Sequence, residues 1–219
     1  MKRWLFPLAF VCGGVLFALL LLEIVVRVLF SHQIVLYPRY VVAKSYGEYS
    51  IRSNMPSITY MHTSIDGSWK FTINRHGFRN VEEFSYEKGE KLRVLCLGDS
   101  QSLGYEVDQD QTYAAVIEKF LRQRGYEVEV INAGVSGYSN AEELIFLEHE
   151  GIRYQPDVVI LGFYANDFED NIRTGLFVLD DNKNLVAVKK QYLPGAYFQQ
   201  TVYRFNLMRW LHEHSYLYA

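Results

Sequence analysis

The sequence predicts an α/β domain with a parallel sheet, preceded by a membrane-spanning helix. Three short apolar runs, at residues 92–97, 128–131 and 158–162, alternate with segments of helical character. This alternation is typical of parallel strands joined by right-handed crossovers. Near the N-terminus, the uncharged run 4–22 has about the length needed to cross the core of a bilayer.

The N-terminal run is interpreted as an uncleaved membrane anchor occupying residues 1–30. Lys2 and Arg3 precede it, and basic residues at this end favour a cytoplasmic N-terminus. No Ala-x-Ala cleavage site of a removable signal peptide follows it. Glu23 and Arg27 share one helix face and can form an ion pair. We therefore expect attachment to the membrane, with the remainder outside the cytoplasm, in the periplasm or at the cell surface if the source is bacterial.

Composition argues against several classes of partner. The net charge of −3 over 219 residues gives no reason to expect binding to nucleic acid. The sequence contains no Cys, His, Asp and Glu cluster with the spacing of metal ligands, and no glycine-rich phosphate loop followed by Lys. We expect neither a metal nor a cofactor.

Residues 31–90 are predicted to form a small β-rich lead-in between the anchor and the domain. The stretches 34–42 and 69–73 have the β-branched and aromatic content of strands. Asp66 and Gly67 indicate a turn.

The α/β domain is predicted to occupy residues 91–219. Helices are expected at 112–123, with Gly125 as the stop signal, and at 140–150, with Asn140 as the cap.

The last part of the chain changes character. Residues 176–178 and 185–188 flank the polar stretch 180–184 and predict a hairpin. Residues 199–217 have the apolar spacing of one further helix.

Each apolar run of the predicted sheet is followed by a candidate site residue. Ser100 follows the first run, Gly134 the second and Asn166 the third. Because ligands of open α/β sheets bind outside the carboxyl ends of the strands, we expect these residues to meet at one rim. A nucleophilic hydroxyl, a glycine N–H and a side-chain amide are the groups needed for acyl transfer through a covalent intermediate.

These motifs resemble those of the SGNH (GDSL) hydrolase family. Residues 98–100, Gly-Asp-Ser, match the first block of that family, and Gly134 matches the second. Residues 166–167, Asn-Asp, match the last two letters of the third block, Gly-x-Asn-Asp. The chain departs from the family at Tyr164, where Gly is usual, and at Gln101, where Leu is usual.

The resemblance covers about residues 70–180 and implies a flavodoxin-like three-layer sandwich with esterase or acyl hydrolase activity. It implies that Ser100 is the nucleophile and also lends its N–H to an oxyanion hole. Gly134 would give a second N–H, and Asn166 a side-chain donor. The expected substrate is a small-molecule or glycan ester outside the cytoplasm. An O-acyltransferase and a non-catalytic binding or assembly module are the alternatives.

The fourth block of the family, Asp-x-x-His, is not found in these 219 residues. None of the six histidines has an Asp three residues before it, and His212 and His214 are predicted to lie on the surface of a helix. The run 158–162 is apolar on both faces, so we expect a strand on each side of it, yet no fourth parallel strand is apparent. Both observations favour an N-terminal fragment of a longer protein, with little or no hydrolase activity alone.

Overall fold

The computed structural model describes residues 5–219, and Lys2 and Arg3, on which the predicted orientation of the anchor rests, lie outside them. The helices are α1 (Leu5–Phe30), α2 (Ser100–Leu103), α3 (Tyr113–Gln123), α4 (Asn140–His149), α5 (Asp167–Thr174), α6 (Ala196–Val202) and α7 (Asn206–His214). The strands are β1 (Val41–Tyr46), β2 (Tyr49–Asn54), β3 (Ile58–Ser64), β4 (Gly67–Ile73), β5 (Leu92–Gly98), β6 (Val128–Asn132), β7 (Val158–Gly162), β8 (Phe177–Leu179), β9 (Leu185–Ala187) and β10 (Gln191–Tyr192).

A parallel sheet of order β6-β5-β7 forms the centre of the domain. The middle strand β5 pairs in parallel with both neighbours, as expected from the alternating pattern. All three apolar runs are strands, and β7 has the predicted bounds. The order second-first-third along the chain is the same as that of the first three strands of a flavodoxin-like sheet.

Strand β5 shows why the sheet is covered on both faces. Successive side chains of a strand point to opposite faces. Val94 and Cys96 belong to the buried cluster that includes Ala114 of α3. Leu95 and Leu97 belong to the cluster that includes Phe146 of α4. Burying each aliphatic side chain stabilises the fold by roughly 1.5–3 kcal/mol.

The lead-in forms two antiparallel hairpins, β1 with β2 and β3 with β4. The prediction of a strand over 34–42 is wrong, because β1 begins only at Val41 and Leu36 makes a single bridge to Thr63. Pro38 lies in this stretch and has no N–H to donate to a ladder.

Two predicted turns are confirmed. Ile65 and Asp66 form the turn between β3 and β4. Residues 180–184 join β8 to β9, and the Asp180 carboxylate accepts the backbone N–H of Asn184 at 2.8 Å.

The lead-in packs against the sheet. Tyr46, Ile51 and Phe78 lie in the same buried cluster as Leu95 and Phe146. The division into a lead-in and a domain at residue 90 stays a prediction.

The single helix predicted over 199–217 is wrong, because α6 and α7 are separated by a break. At the break Tyr203 turns inward, and its ring lies 4.9 Å from that of Tyr40. His212 stacks on Tyr203 at 4.9 Å, so its predicted surface position is wrong, whereas His214 is exposed as expected. The contacts among Tyr40, Tyr203 and His212, and not the spacing of apolar residues, therefore decide where the helix is interrupted.

Strand β7 is an edge strand within residues 5–219, where it pairs only with β5. The expected second neighbour is therefore not met in the described part of the chain. Val158, Val159 and Leu161 are 44%, 41% and 52% exposed. An apolar edge of this kind is a template for pairing with a further strand.

The guanidinium of Arg79 ties the lead-in to the loop that follows α2. Arg79 is 1% exposed and donates to the carbonyl oxygens of Leu103, at 2.9 Å, and Val107, at 2.7 Å. It also donates to the carbonyl oxygen of Gly104. One side chain thus satisfies several acceptors at and just after the end of α2.

We predict that Arg79→Met lowers the free energy of unfolding by about 2–4 kcal/mol, because it leaves several buried carbonyl groups without a donor. Urea unfolding followed by circular dichroism in detergent measures the change. The control is Arg75→Met, since Arg75 is 64% exposed and pairs with Glu83 at 3.3 Å on the surface. Its cost should be about 0–1 kcal/mol. An equal loss of stability in the two variants would show that the buried hydrogen bonds of Arg79 contribute no more than a surface ion pair.

Candidate active site

Ser100 is the first residue of α2, and only Asp99 separates it from the end of β5. Asp99 caps this helix, because its carboxylate accepts the N–H of Gln101 at 2.8 Å, so Ser100 is not the cap. Ser100 is partly exposed, and its hydroxyl has no hydrogen-bond partner within residues 5–219. The neighbouring Ser102 is buried and donates its hydroxyl to the carbonyl oxygen of Leu97.

A cavity of about 450 Å³ contains Ser100 and Asn166 in its wall. The other lining residues are Arg39, Arg52, Asp99, Ser136, Gly137, Glu169, Asp170, Arg173, Thr174, Tyr192 and Pro194. The loops after β5 and β7 therefore meet at one rim, as two neighbouring parallel strands require. The catalytic roles of Ser100 and Asn166 stay predictions.

Asn166 donates both hydrogen atoms of its side-chain nitrogen to carboxylates. Its Nδ2 donates to Asp170 at 2.8 Å and to Asp99 at 3.3 Å, while its Oδ1 is buried without a partner. Exchanging the oxygen and nitrogen would turn the oxygen towards two carboxylates, so the assigned orientation is the favourable one. Asn166 must rotate before it can donate to a ligand.

Gly134 does not line this cavity. It is buried, and its N–H donates to Oδ1 of Asn132 at 3.1 Å. A Cβ at this position would lie 2.3 Å from the backbone nitrogen of Leu103. The geometry gives Gly134 close packing beneath α2, and its role as an oxyanion donor stays a prediction.

Gly137 is the glycine that lines the cavity, and the sequence analysis missed it. Its φ of +74° favours glycine, and its N–H has no hydrogen-bond partner within the described chain. Its carbonyl oxygen accepts from the Arg52 guanidinium. The sequence does contain a signal for this residue, because the loop after β6 has a second glycine, Gly137, three residues beyond Gly134.

The charges in the wall are unevenly distributed. On α5, Asp170 pairs with Arg173 at 2.7 Å. On the lead-in, Nε of Arg52 lies 3.5 Å from the carboxylate of Glu142, and no described acidic side chain pairs with Arg39. The side of the cavity formed by the lead-in is therefore the more positive one.

No histidine lines the cavity within residues 5–219. His62 is buried elsewhere, with Nδ1 3.1 Å from the carbonyl oxygen of Leu36, and burial lowers its pKa. The described residues also contain no cluster of His, Cys, Asp and Glu that could hold a metal ion.

Two buried carboxyl groups lie on α4. The predicted cap, Asn140, is wrong by one residue, because Ser139 and Glu142 form the capping box. Burial raises the pKa of Glu142 and of Glu143 to about 7 in each case. Nδ2 of Asn140 donates to Glu143 at 2.9 Å and lies 3.4 Å from the carboxylate of Asp167, whose pKa burial also raises.

These raised pKa values predict a pH-dependent stability. Between about pH 4.5 and 7 the folded protein keeps a proton on Glu143 that the unfolded chain has released, so the free energy of unfolding falls as the pH rises. Glu143→Gln keeps an acceptor for the Asn140 side chain, and it removes the ionisation that lowers the free energy of unfolding at higher pH. We expect it to exceed the wild type in stability by roughly 1–3 kcal/mol at about pH 8 and to lose that advantage at low pH.

Urea unfolding at several pH values measures this difference. Glu148→Gln is the matched control, because Glu148 is exposed on the same helix. A difference between Glu143→Gln and the wild type that does not change with pH would contradict the raised pKa.

Known proteins are similar to parts of this chain. An arylesterase of Vibrio mimicus is 32% identical over 75 residues, which cover 34% of this chain and 38% of that protein. Esterase TesA of Pseudomonas aeruginosa is 32% identical over 74 residues, which cover 34% of this chain and 37% of that protein. The solved structure of AlinE4, an SGNH-hydrolase family esterase, is 34% identical with a TM-score of 0.33, covering 38% of this chain and 45% of that one. The chain thus spans less than half the length of each of these relatives.

A family assignment rests on a longer match. Residues 96–212 match the GDSL-like Lipase/Acylhydrolase family, and they are more than half of the 219 residues. The matched region contains both Ser100 and Asn166. The chain belongs to the family of GDSL-like lipases and acylhydrolases.

Proposed function

We propose that this chain carries the nucleophile and the oxyanion donors of a serine esterase of the SGNH type. The observation that carries the proposal is the unbonded Ser100 hydroxyl at the carboxyl end of β5, in one cavity with Asn166 and Gly137. Family membership supports the same chemistry.

In the proposed reaction Oγ of Ser100 attacks the carbonyl carbon of an ester. A bond forms between Oγ and that carbon, the carbonyl oxygen becomes an oxyanion, and the hydroxyl proton passes to a base. Collapse of this intermediate breaks the bond to the alcohol, which leaves with a proton, and water then releases the acid from the acyl-Ser100 enzyme. Since no described histidine lines the cavity, we infer that turnover by these residues alone is slow.

The oxyanion would be stabilised by donors from three loops. We assign the N–H of Ser100, the N–H of Gly137 in place of Gly134, and Nδ2 of Asn166. Neither backbone N–H has a described partner that would compete with a ligand. The Asn166 amide would exchange its hydrogen bond to Asp170 for one to the oxyanion.

The cavity and the relatives both support a small ester as the substrate. The cavity has a volume of about 450 Å³, which lies within the roughly 300–1,000 Å³ typical of ligand pockets. The two curated relatives are named an arylesterase and an esterase. The finer proposal is an acylated glycan outside the cytoplasm. It is supported by α1 as a candidate anchor, because the segment Ala9–Phe30 has a mean hydropathy of 2.7. A signal sequence has the same length and composition.

Two alternatives use the same residues. An O-acyltransferase would pass the acyl group from Ser100 to a sugar hydroxyl instead of to water. A non-catalytic module would bind an ester or an acylated glycan without cleaving it, and the lack of a described histidine in the cavity favours that alternative.

We predict that a fluorophosphonate probe modifies Ser100 and that added imidazole, as an external base, accelerates the modification. Ser100→Ala should abolish labelling, because it removes the hydroxyl that forms the adduct. Ser136→Ala is the matched control, since Ser136 lines the same cavity. Mass spectrometry of the labelled peptide measures the outcome. No adduct on Ser100 with or without imidazole would favour the non-catalytic module.

We also predict that Asn166→Ala slows labelling of Ser100 by roughly 10²-fold to 10³-fold, the typical cost of losing one oxyanion donor. Thr174→Ser, which alters the cavity wall but keeps the hydroxyl that donates to Asn171, is the control. The rate of adduct formation in the presence of imidazole measures the effect. An unchanged rate in Asn166→Ala would remove Asn166 from the oxyanion hole.

A further inference from the structure

The C-terminal segment of the chain is fastened to α1. The Glu23 carboxylate accepts the hydroxyl of Ser215 at 2.8 Å and the backbone N–H groups of Tyr216, at 3.1 Å, and Leu217, at 2.9 Å. Arg27 pairs with Glu23 at 2.9 Å, and its guanidinium lies 4.7 Å from the centre of the Tyr216 ring. Three hydrogen bonds and one cation–π contact thus fix the segment after α7 to the side of α1.

This attachment sets the level of α7 relative to a bilayer. Glu23 is the first charged residue after the uncharged run 4–22. At 1.5 Å per residue that run spans about 28 Å, close to the thickness of a bilayer core. If this run crosses a membrane, Glu23 lies where the core meets the lipid headgroups, and the end of α7 lies at the same depth.

Several large apolar and aromatic side chains are exposed on α6, on α7 and in the segments next to them. Trp210 is 56% exposed. Other exposed large apolar side chains in this part are Tyr197, Phe198, Phe205, Leu207, Leu217 and Tyr218. Trp and Tyr are the residues enriched where a membrane meets water.

The charges of the same helices favour a negatively charged surface. Glu213 is the single acidic residue from 196 to 219. It faces inward, where it accepts the Tyr40 hydroxyl at 3.0 Å and the Met61 N–H at 3.2 Å. Arg204 is exposed, and Arg209 is half-buried. The charge that α6, α7 and the turn between them present to solvent is therefore mainly positive.

We propose that α6 and α7 lie on the surface of a lipid bilayer beside α1, with Trp210 in the interface and the arginines at anionic phospholipid headgroups. An apolar face combined with basic residues is the pattern of interfacial helices. A second copy of the chain or another protein would also cover the apolar side chains, but neither accounts for the fixed depth given by Glu23. This proposal does not depend on the chemistry of Ser100.

The test uses the full chain reconstituted into vesicles of phosphatidylcholine and phosphatidylglycerol, with bromine on the acyl chains near the headgroup. The chain has three tryptophans, Trp4, Trp69 and Trp210. One variant, Trp4→Phe with Trp69→Phe, reports on Trp210. Its matched control, Trp4→Phe with Trp210→Phe, reports on Trp69, which stacks on His62 within the lead-in.

We expect brominated lipid to remove most of the emission of Trp210 and to leave that of Trp69 nearly unchanged. Emission from Trp210 that iodide in the buffer quenches and brominated lipid does not would place it in water and overturn the proposal. Protection from both quenchers would show that protein covers it, with the same consequence. If a double variant does not fold, the single exposed substitution Trp210→Phe is compared with the wild type, and it should lower the lipid-quenchable emission.

Discussion

The site depends on the parallel pairing of β5 with both of its neighbours. Cys96 pairs with Asn132 and Gly98 with Gly162, so all three strands end at the same rim. The hydroxyl of Ser100, the loop containing Gly137 and the loop containing Asn166 reach one cavity only in that register. Because successive side chains alternate between faces, a shift by one residue would also place the wrong side chains against α3 and α4.

The lead-in is part of the support for this rim. Asn54 of β2 donates to the carbonyl oxygens of Gly77, at 3.0 Å, and Gly134, at 2.9 Å. Arg79 holds the segment after α2 from the other side. A buried donor that satisfies carbonyl groups on two loops fixes their separation, since leaving either carbonyl unpaired is costly. Residues that precede the sheet in the sequence therefore hold the loop after β6 and the segment after α2, which lie next to Ser100.

The sequence was a good guide where a short continuous apolar run predicts a strand, as in β5 and β7. It also placed Ser100 directly after the carboxyl end of the first run. It was a poor guide where a side chain decides which backbone group is free. Spacing alone does not distinguish Gly134 from Gly137 as a donor, and it does not reveal that the Gly134 N–H already donates to Asn132. Similarly, the inward turn of Tyr203 depends on contacts with residues distant in the sequence, which no local period reveals.

The central claim is that Ser100, Gly137 and Asn166 surround one reacting carbonyl group. A crystal structure of the chain with a phosphonate attached to Ser100 measures this most directly. We expect the phosphonyl oxygen to lie within hydrogen-bonding distance of the Gly137 N–H and of Nδ2 of Asn166. The hydrogen bond from Asn166 to Asp170 should then be broken. An adduct whose oxygen points into solvent, while Asn166 still donates to both Asp99 and Asp170, would contradict it.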